Sequence, residues 1–191
     1  MEFQDDKIII GRELSDLDKF AIEFVHILKK HTKYVIVSGY VSILLGRSRA
    51  SEDIDLIVPK MSKQNFFDLY RDLKTGYFYC LNADDSTDLY EYLTTKTAIR
   101  FAKTDTVVPN IEFKFAKNRF DEIALENTIT VNLSDKELTI SHLELQIAFK
   151  ESVLKSPKDI EDARHMRNVA DKQLDHNLIK KYQRMLDGFY G

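Results

Sequence analysis

The chain has 191 residues, 43% of them hydrophobic and 31% charged, with a formal net charge of −3. Such a profile suits a soluble globular protein of one large domain, or of one domain with a helical appendage, whose core needs no staples. It excludes a global basic field for nucleic acid, and no apolar run reaches the ~18 residues of a membrane span.

Cys80 is the sole cysteine. An internal disulfide is therefore impossible, which fits a reducing cytoplasm, and Cys80 itself reads as a small buried hydrophobe within "YFYCL". The acidic start "MEFQDD" is unlike a secretory leader. A cytoplasmic location without membrane contact is the expectation.

In chain order, Ser15 opens an amphipathic helix, "SDLDKFAIEFVHILKKHT". Leu17, Phe20, Ala21, Phe24, Val25 and Leu28 recur at helical spacing, and Lys29 and Lys30 suit the C-terminal dipole. Tyr34 to Val37 then form a short apolar strand, Ser38-Gly39 a tight turn, and Tyr40 to Leu45 an apolar helix ended by Gly46. "DIDLIV" is a second strand, stopped by Pro59. Ser62 caps the helix "KQNFFDLYRDLK", which closes at Gly76; its Phe66, Phe67, Tyr70 and Leu73 make a stripe that reads as core.

"YFYCLNA" follows as strand and "STDLYEYLTT" as a short helix or loop. "TAIRFAKT" and "NIEFKFAK" are strands around the turn "DTVVPN", and "ITVNLSDKELTIS" is a small hairpin. From Ser141 the pattern turns helical. "SHLELQIAFKESVLK" carries a capping box (Ser141 with Glu144), "SPKDIEDARHMRNV" has Ser156 at its cap and Pro157 at its first position, and "NLIKKYQRMLDG" stops at Gly188. The expected class is α/β with a mixed sheet: a core over residues 1–140 followed by a helical segment over 141–191.

One stretch concentrates chemistry. In "SRASEDIDLIV", Asp53 and Asp55 stand two apart at the start of a strand and so share a face. Side by side in a dry place they repel unless a cation lies between them, and their oxygens suit a hard ion such as Mg²⁺. The preceding Ser38-Gly39 turn leads into a helix, where free N–H groups and the dipole favour anions. Magnesium completes its shell with substrate phosphates, so a bound triphosphate would bridge turn and aspartates. Arg47, Arg49, Lys114, Lys117 and Arg119 fall near these segments as a candidate basic patch or as scattered solvated charge.

"VIVSGYVSILLGRSRASEDIDLIV" resembles the signature of the nucleotidyltransferase (DNA polymerase beta-like) superfamily: strand, turn, helix, then R-x-[S/T]-x-D-[I/V]-D on Arg49, Ser51, Asp53 and Asp55. The match is closest to minimal nucleotidyltransferases of the AbiEii type, which include toxins of bacterial toxin–antitoxin systems. The later "SHLELQIAFKESVLKSPKDIEDARHMRNV" is similar to that group's helical segment, with Lys150, Lys158, Asp159 and Asp162 on its Lys and K-D-x-x-D positions.

The resemblance implies transfer of a nucleoside monophosphate from an NTP to an acceptor hydroxyl or phosphate. Asp53 and Asp55 would hold Mg²⁺ (or Mn²⁺), with a third carboxylate on a neighbouring strand, for which "PNIEFKFAK" offers Glu112. Ser38, Gly39, Arg49, Ser51, Lys114 and Lys150 would contact the nucleotide. The acceptor (tRNA, protein, antibiotic or another small molecule) stays open, as does an antitoxin partner. Two departures stand out: Ser38 precedes Gly39 with the bulky Tyr40 after it, and the third acid is Glu rather than Asp.

Rivals are weaker. Phosphatases of the haloacid dehalogenase type carry Asp-x-Asp at the end of an apolar strand, whereas here "LIV" follows the acids and polar "SRASE" precedes them. His26, His31, His142, His165 and His176 show no zinc spacing, and Ser38 has no triad partner. A catalytically silent binder of nucleotide or protein on the same fold is the alternative from another class.

Overall fold

A computed structural model describes residues 1–4 and 6–191. Among these, nine strands form one mixed sheet: β1 (Glu2–Gln4), β2 (Lys7–Ile10), β3 (Val35–Val37), β4 (Asp53–Val58), β5 (Phe78–Cys80), β6 (Ile99–Lys103), β7 (Asn110–Phe115), β8 (Thr128–Leu133) and β9 (Lys136–Ser141). Their spatial order is β1-β2-β8-β9-β3-β4-β7-β6-β5. The β4–β7 pair at the middle is parallel, while β3–β4 and β6–β7 are antiparallel.

The helices are α1 (Asp16–Leu28), α2 (Gly39–Leu44), α3 (Lys63–Thr75), α4 (Ser86–Thr94), α5 (Arg119–Glu126), α6 (Leu143–Phe149), α7 (Pro157–Ala170) and α8 (His176–Tyr190), with a π-helical turn over Lys150–Leu154 continuing α6. None is long and apolar enough to cross a membrane.

Alternation along the central strands decides what each face of the sheet does. On β4 and β7, Ile54, Leu56, Val58, Ile111, Phe113 and Phe115 point one way and are buried. There α1, α3 and α4 cover them with a run of aromatic contacts, Phe24 and Tyr70 on Phe101, Phe101 on Phe113, and Tyr90 on Phe115. Each such ring contributes roughly 1.5–3 kcal/mol by leaving water, so this face is the main hydrophobic anchor. Asp53, Asp55, Glu112 and Lys114 point to the opposite face, beneath α5 and α6.

Four local readings differ from the structure. Ser141 does not cap a helix: it still pairs with Thr128 as the last residue of β9, and the Glu144 carboxylate instead accepts from the Asp175 backbone N–H at 3.0 Å. α8 runs through Gly188, because Phe189 and Tyr190 pack on Phe120 and Phe149 and reward two further helical residues. The "YFYCLNA" strand shrinks to Phe78–Cys80, since Tyr77 adopts a positive φ of 63° and Asn82 turns its side-chain oxygen to the Arg100 N–H. The segment "RFDEIALE", left unassigned by the pattern of strands around it, is α5, capped by the Asn118 side chain accepting from Phe120 and Asp121 N–H.

Candidate active site

The turn between β3 and α2 is built under strain. Ser38 holds φ 66° and ψ −135°, a region that L-residues seldom occupy. Its N–H donates to Gln146 Oε1 at 2.9 Å, and Gln146 Nε2 donates to Ser141 Oγ at 2.6 Å, so the turn is pinned from α6 across the cavity. The bulky Tyr40 also has a role. Its ring is fully buried and its hydroxyl donates to Asp18 at 2.7 Å, while Arg12 clamps the same carboxylate with two bonds of 2.5 and 3.0 Å. Burial pushes the Asp18 carboxyl up, but Arg12, Ser15 and Tyr40 together outweigh it and hold it below its ordinary range.

Register sets the acids. In the ladder Val37 pairs with Asp55, Asp55 with Glu112, and Glu112 with Arg100, giving one row across β3, β4, β7 and β6 on one face. Asp53 stands one row up, opposite Asn110. Asp55, Glu112, Lys114, Ser38 and Lys150 all line a cavity of about 290 Å³, whose other wall is apolar: Phe120 and Ala124 of α5, with Leu145 and Phe149 of α6. Burial pushes the Asp55 carboxyl above its ordinary range; Glu112 and Asp53 add to this, while Lys114 and Ser38 oppose it.

A second set of charges is tied to the cavity through Lys150. Asp162, fully buried, accepts from Arg47, from Arg49 at 2.6 Å and from Lys150 at 2.8 Å. Lys150 also reaches Asp159 at 3.1 Å, and Ser156 caps α7 onto the same aspartate. Burial lowers the Lys150 ammonium pKa, against the pull of Asp159. The guanidinium of Arg49 lies over Gly39, where an added Cβ would sit 3.0 Å from both terminal nitrogens. Gly39 therefore makes room for Arg49, and the space above it is filled by that side chain. Ser51 hydrogen-bonds to the Asp53 backbone and carboxylate at 3.0 and 3.3 Å, fixing the entry to β4.

Of the nine residues singled out from sequence, Ser38, Asp55, Glu112, Lys114 and Lys150 meet at one cavity. Arg49 and Gly39 pack together beside it, and Asp53 and Ser51 are hydrogen-bonded to each other at the start of β4 and do not line it. Gln146, Arg100, Asp121 and the Arg12–Asp18–Tyr40 group were not foreseen. Only Asp18 left a trace, as the third residue of a capping box with Ser15.

The oxygens of Asp53 and Asp55 are the right chemistry for a hard divalent ion. Asn110 adds to the fit: its Oδ1 is buried with no hydrogen-bond partner, and it pairs with Asp53 in register. Glu112 is less available, because its carboxylate accepts from Arg100 at 2.5 Å. Among the described residues no three His, Cys, Asp or Glu side chains approach closely enough to hold an ion. The residues thus fit a two-carboxylate site whose third acid is turned aside.

No family model matches the chain, and no curated protein matches it in sequence. Its fold is similar to the crystal structure of an antigenic nucleotidyltransferase-like protein from Paracoccidioides brasiliensis, at 15% identity and a TM-score of 0.53 over 92% of this chain and 90% of that one. It is also similar to the antibiotic-resistance factor ANT(2'')-Ia in solution, at 13% identity and a TM-score of 0.58 over 92% and 95%. The complex of that protein with adenylyl-2''-tobramycin gives 12% identity and 0.56 over 90% and 96%. The likeness is one of fold: a shared α/β architecture spanning nearly the whole chain.

Proposed function

We propose that the protein transfers a nucleoside monophosphate from an NTP to an acceptor hydroxyl or phosphate. The observation that carries this reading is the convergence of Asp55, Glu112, Lys114, Lys150 and the strained Ser38 turn on one cavity of a nucleotidyltransferase-like fold. Asp53 and Asp55 would hold Mg²⁺ or Mn²⁺, which when bound supplies positive charge against the phosphate oxygens. Lys150 and Lys114, facing the same cavity, would offset further phosphate charge. Arg49 already serves Asp162 and would act on the triphosphate by leaving it or by the field it sets up. Glu112, once free of Arg100, would complete the metal site or take the proton from an acceptor hydroxyl as pyrophosphate leaves.

The apolar wall of Phe120, Ala124, Leu145 and Phe149 supports an acceptor or base with a hydrophobic surface. Small-molecule acceptors draw support from the aminoglycoside adduct of the structural neighbour, and an AbiEii-type toxin with an antitoxin partner draws it from residues 34–58 and 141–168 alone. A silent binder on the same fold is favoured by one observation, the Arg100–Glu112 pair. Incubation with each labelled NTP, Mg²⁺ and total cellular RNA, protein or an aminoglycoside panel separates the readings. Label in any acceptor fraction supports the enzyme; nucleotide binding without transfer supports the binder.

A further inference from the structure

We infer that Arg100 is a latch: it holds Glu112 away from the Asp53–Asp55 pair and keeps the cation site short of its third carboxylate until Arg100 is drawn off. This inference rests on the nucleotidyltransferase reading of that site. Adjacent strands lie roughly 5 Å apart, so Glu112 stands between a like charge on one side, Asp55, and an opposite charge on the other, Arg100. Cross-strand like charges repel and opposite ones attract, and the Glu112 carboxylate accordingly sits at 2.5 Å from the Arg100 guanidinium. Lys114 and Lys150 face the same cavity and Arg49 stands beside it, and the fields of all three fall on Asp55.

The latch is built to open. The Arg100 side chain is 46% exposed and that of Glu112 20%, and an ion pair this wet is weak and easily exchanged for another partner. Contrast Lys150 and Asp162, at 1% and 0%, whose pairing cannot be traded without stranding a charge. An incoming polyanion such as a triphosphate is chemically matched to an arginine fork and competes for it directly. Release of Glu112 would then coincide with arrival of the nucleotide, making Arg100 a positioning residue that acts through Glu112.

Mn²⁺ binding by the full chain, followed by the electron paramagnetic resonance of free Mn²⁺ without nucleotide, tests the latch. Wild type, R100Q, E112Q, R100Q/E112Q and D55N are compared. The Arg100 side chain is exposed on β6, so R100Q should fold, and thermal melting checks this. The expected result is a gain in affinity of roughly fivefold in R100Q, the equilibrium equivalent of opening one exposed pair, and no gain from R100Q once Glu112 is Gln. Binding that emerges only in R100Q supports the latch equally. An R100Q protein that binds Mn²⁺ no better than wild type overturns it. So does an equal gain with and without the Glu112 carboxylate, which would mark a general charge effect. If wild type binds Mn²⁺ and D55N does not while R100Q changes nothing, the latch alone fails. If no variant binds Mn²⁺, the cation site fails with it.

Discussion

Asp162 pairs with Lys150 and Asp55 shares the cavity that Lys150 lines, and the surroundings of the two carboxylates differ in kind. Asp162 is enclosed by Arg47, Arg49 and Lys150, both of its carboxylate oxygens answered from within the chain. Asp55 is buried beside Asp53 and Glu112, and burial foremost, with those two acids, outweighs Lys114 and Ser38, so its proton is held more tightly. A carboxylate that the fold satisfies is part of the frame. One that the fold leaves among its own kind is a candidate for a cation from outside, as proposed for Asp55. The same contrast holds for Asp18, saturated by Arg12, Ser15 and Tyr40 on the far side of the Ser38 turn.

The largest expected effect comes from emptying the saturated site. Asp162→Ala leaves three cations around a buried hole and should lower unfolding stability by about 3–5 kcal/mol, read from urea midpoints at neutral pH. A loss below ~1 kcal/mol would break the comparison by showing that the trio does not depend on its aspartate. Next, Tyr40→Phe removes a hydrogen bond to the buried Asp18 carboxylate and should cost about 1.5–3 kcal/mol.

Acid sharpens the point, because the two classes of carboxylate respond with opposite sign. The Asp18 carboxyl titrates lower folded than unfolded, so its stabilisation is present above the unfolded value near 4 and is lost as pH falls through the folded one. Asp55 titrates higher folded than unfolded, so its cost appears as pH rises past ~4 and is relieved by protonation. Asp18→Asn should therefore flatten the acid limb of a stability–pH profile. The smallest effect should be Asp55→Asn: a change within ~1 kcal/mol of zero, or a gain, since like-charge repulsion is relieved. A large destabilisation in that variant would place Asp55 with the frame and not with the site.

How much of this was legible in sequence depends on the range of the signal. α1 could be read because Ser15 and the Phe20–Phe24–Leu28 spacing all lie within 14 residues. The shared face of Asp53 and Asp55 followed from strand alternation alone, and Glu112 could be put on the same side of β7 by the same argument. What a strand cannot announce is its register: that Arg100 falls opposite Glu112 depends on the β6–β7 turn. The Asp162 hub joins residues more than a hundred positions apart, so Arg47 and Arg49 read as free cations until α7 is laid against α2. The Ser141–Glu144 box failed for a related reason, since pairing with Thr128 kept Ser141 in the sheet. β1 and β2 carried too few residues to signal themselves before β1 paired with β2 and β2 with β8.

The account stands on Asp53 and Asp55 being the site for a cation and its nucleotide. Titration calorimetry of ATP into the protein with Mg²⁺ and with EDTA, for wild type, Asp53→Asn and Asp55→Asn, addresses this directly. The account predicts Mg²⁺-dependent binding in wild type that is lost in both variants while their folds persist. Unchanged Mg²⁺–ATP affinity in both folded variants would contradict it.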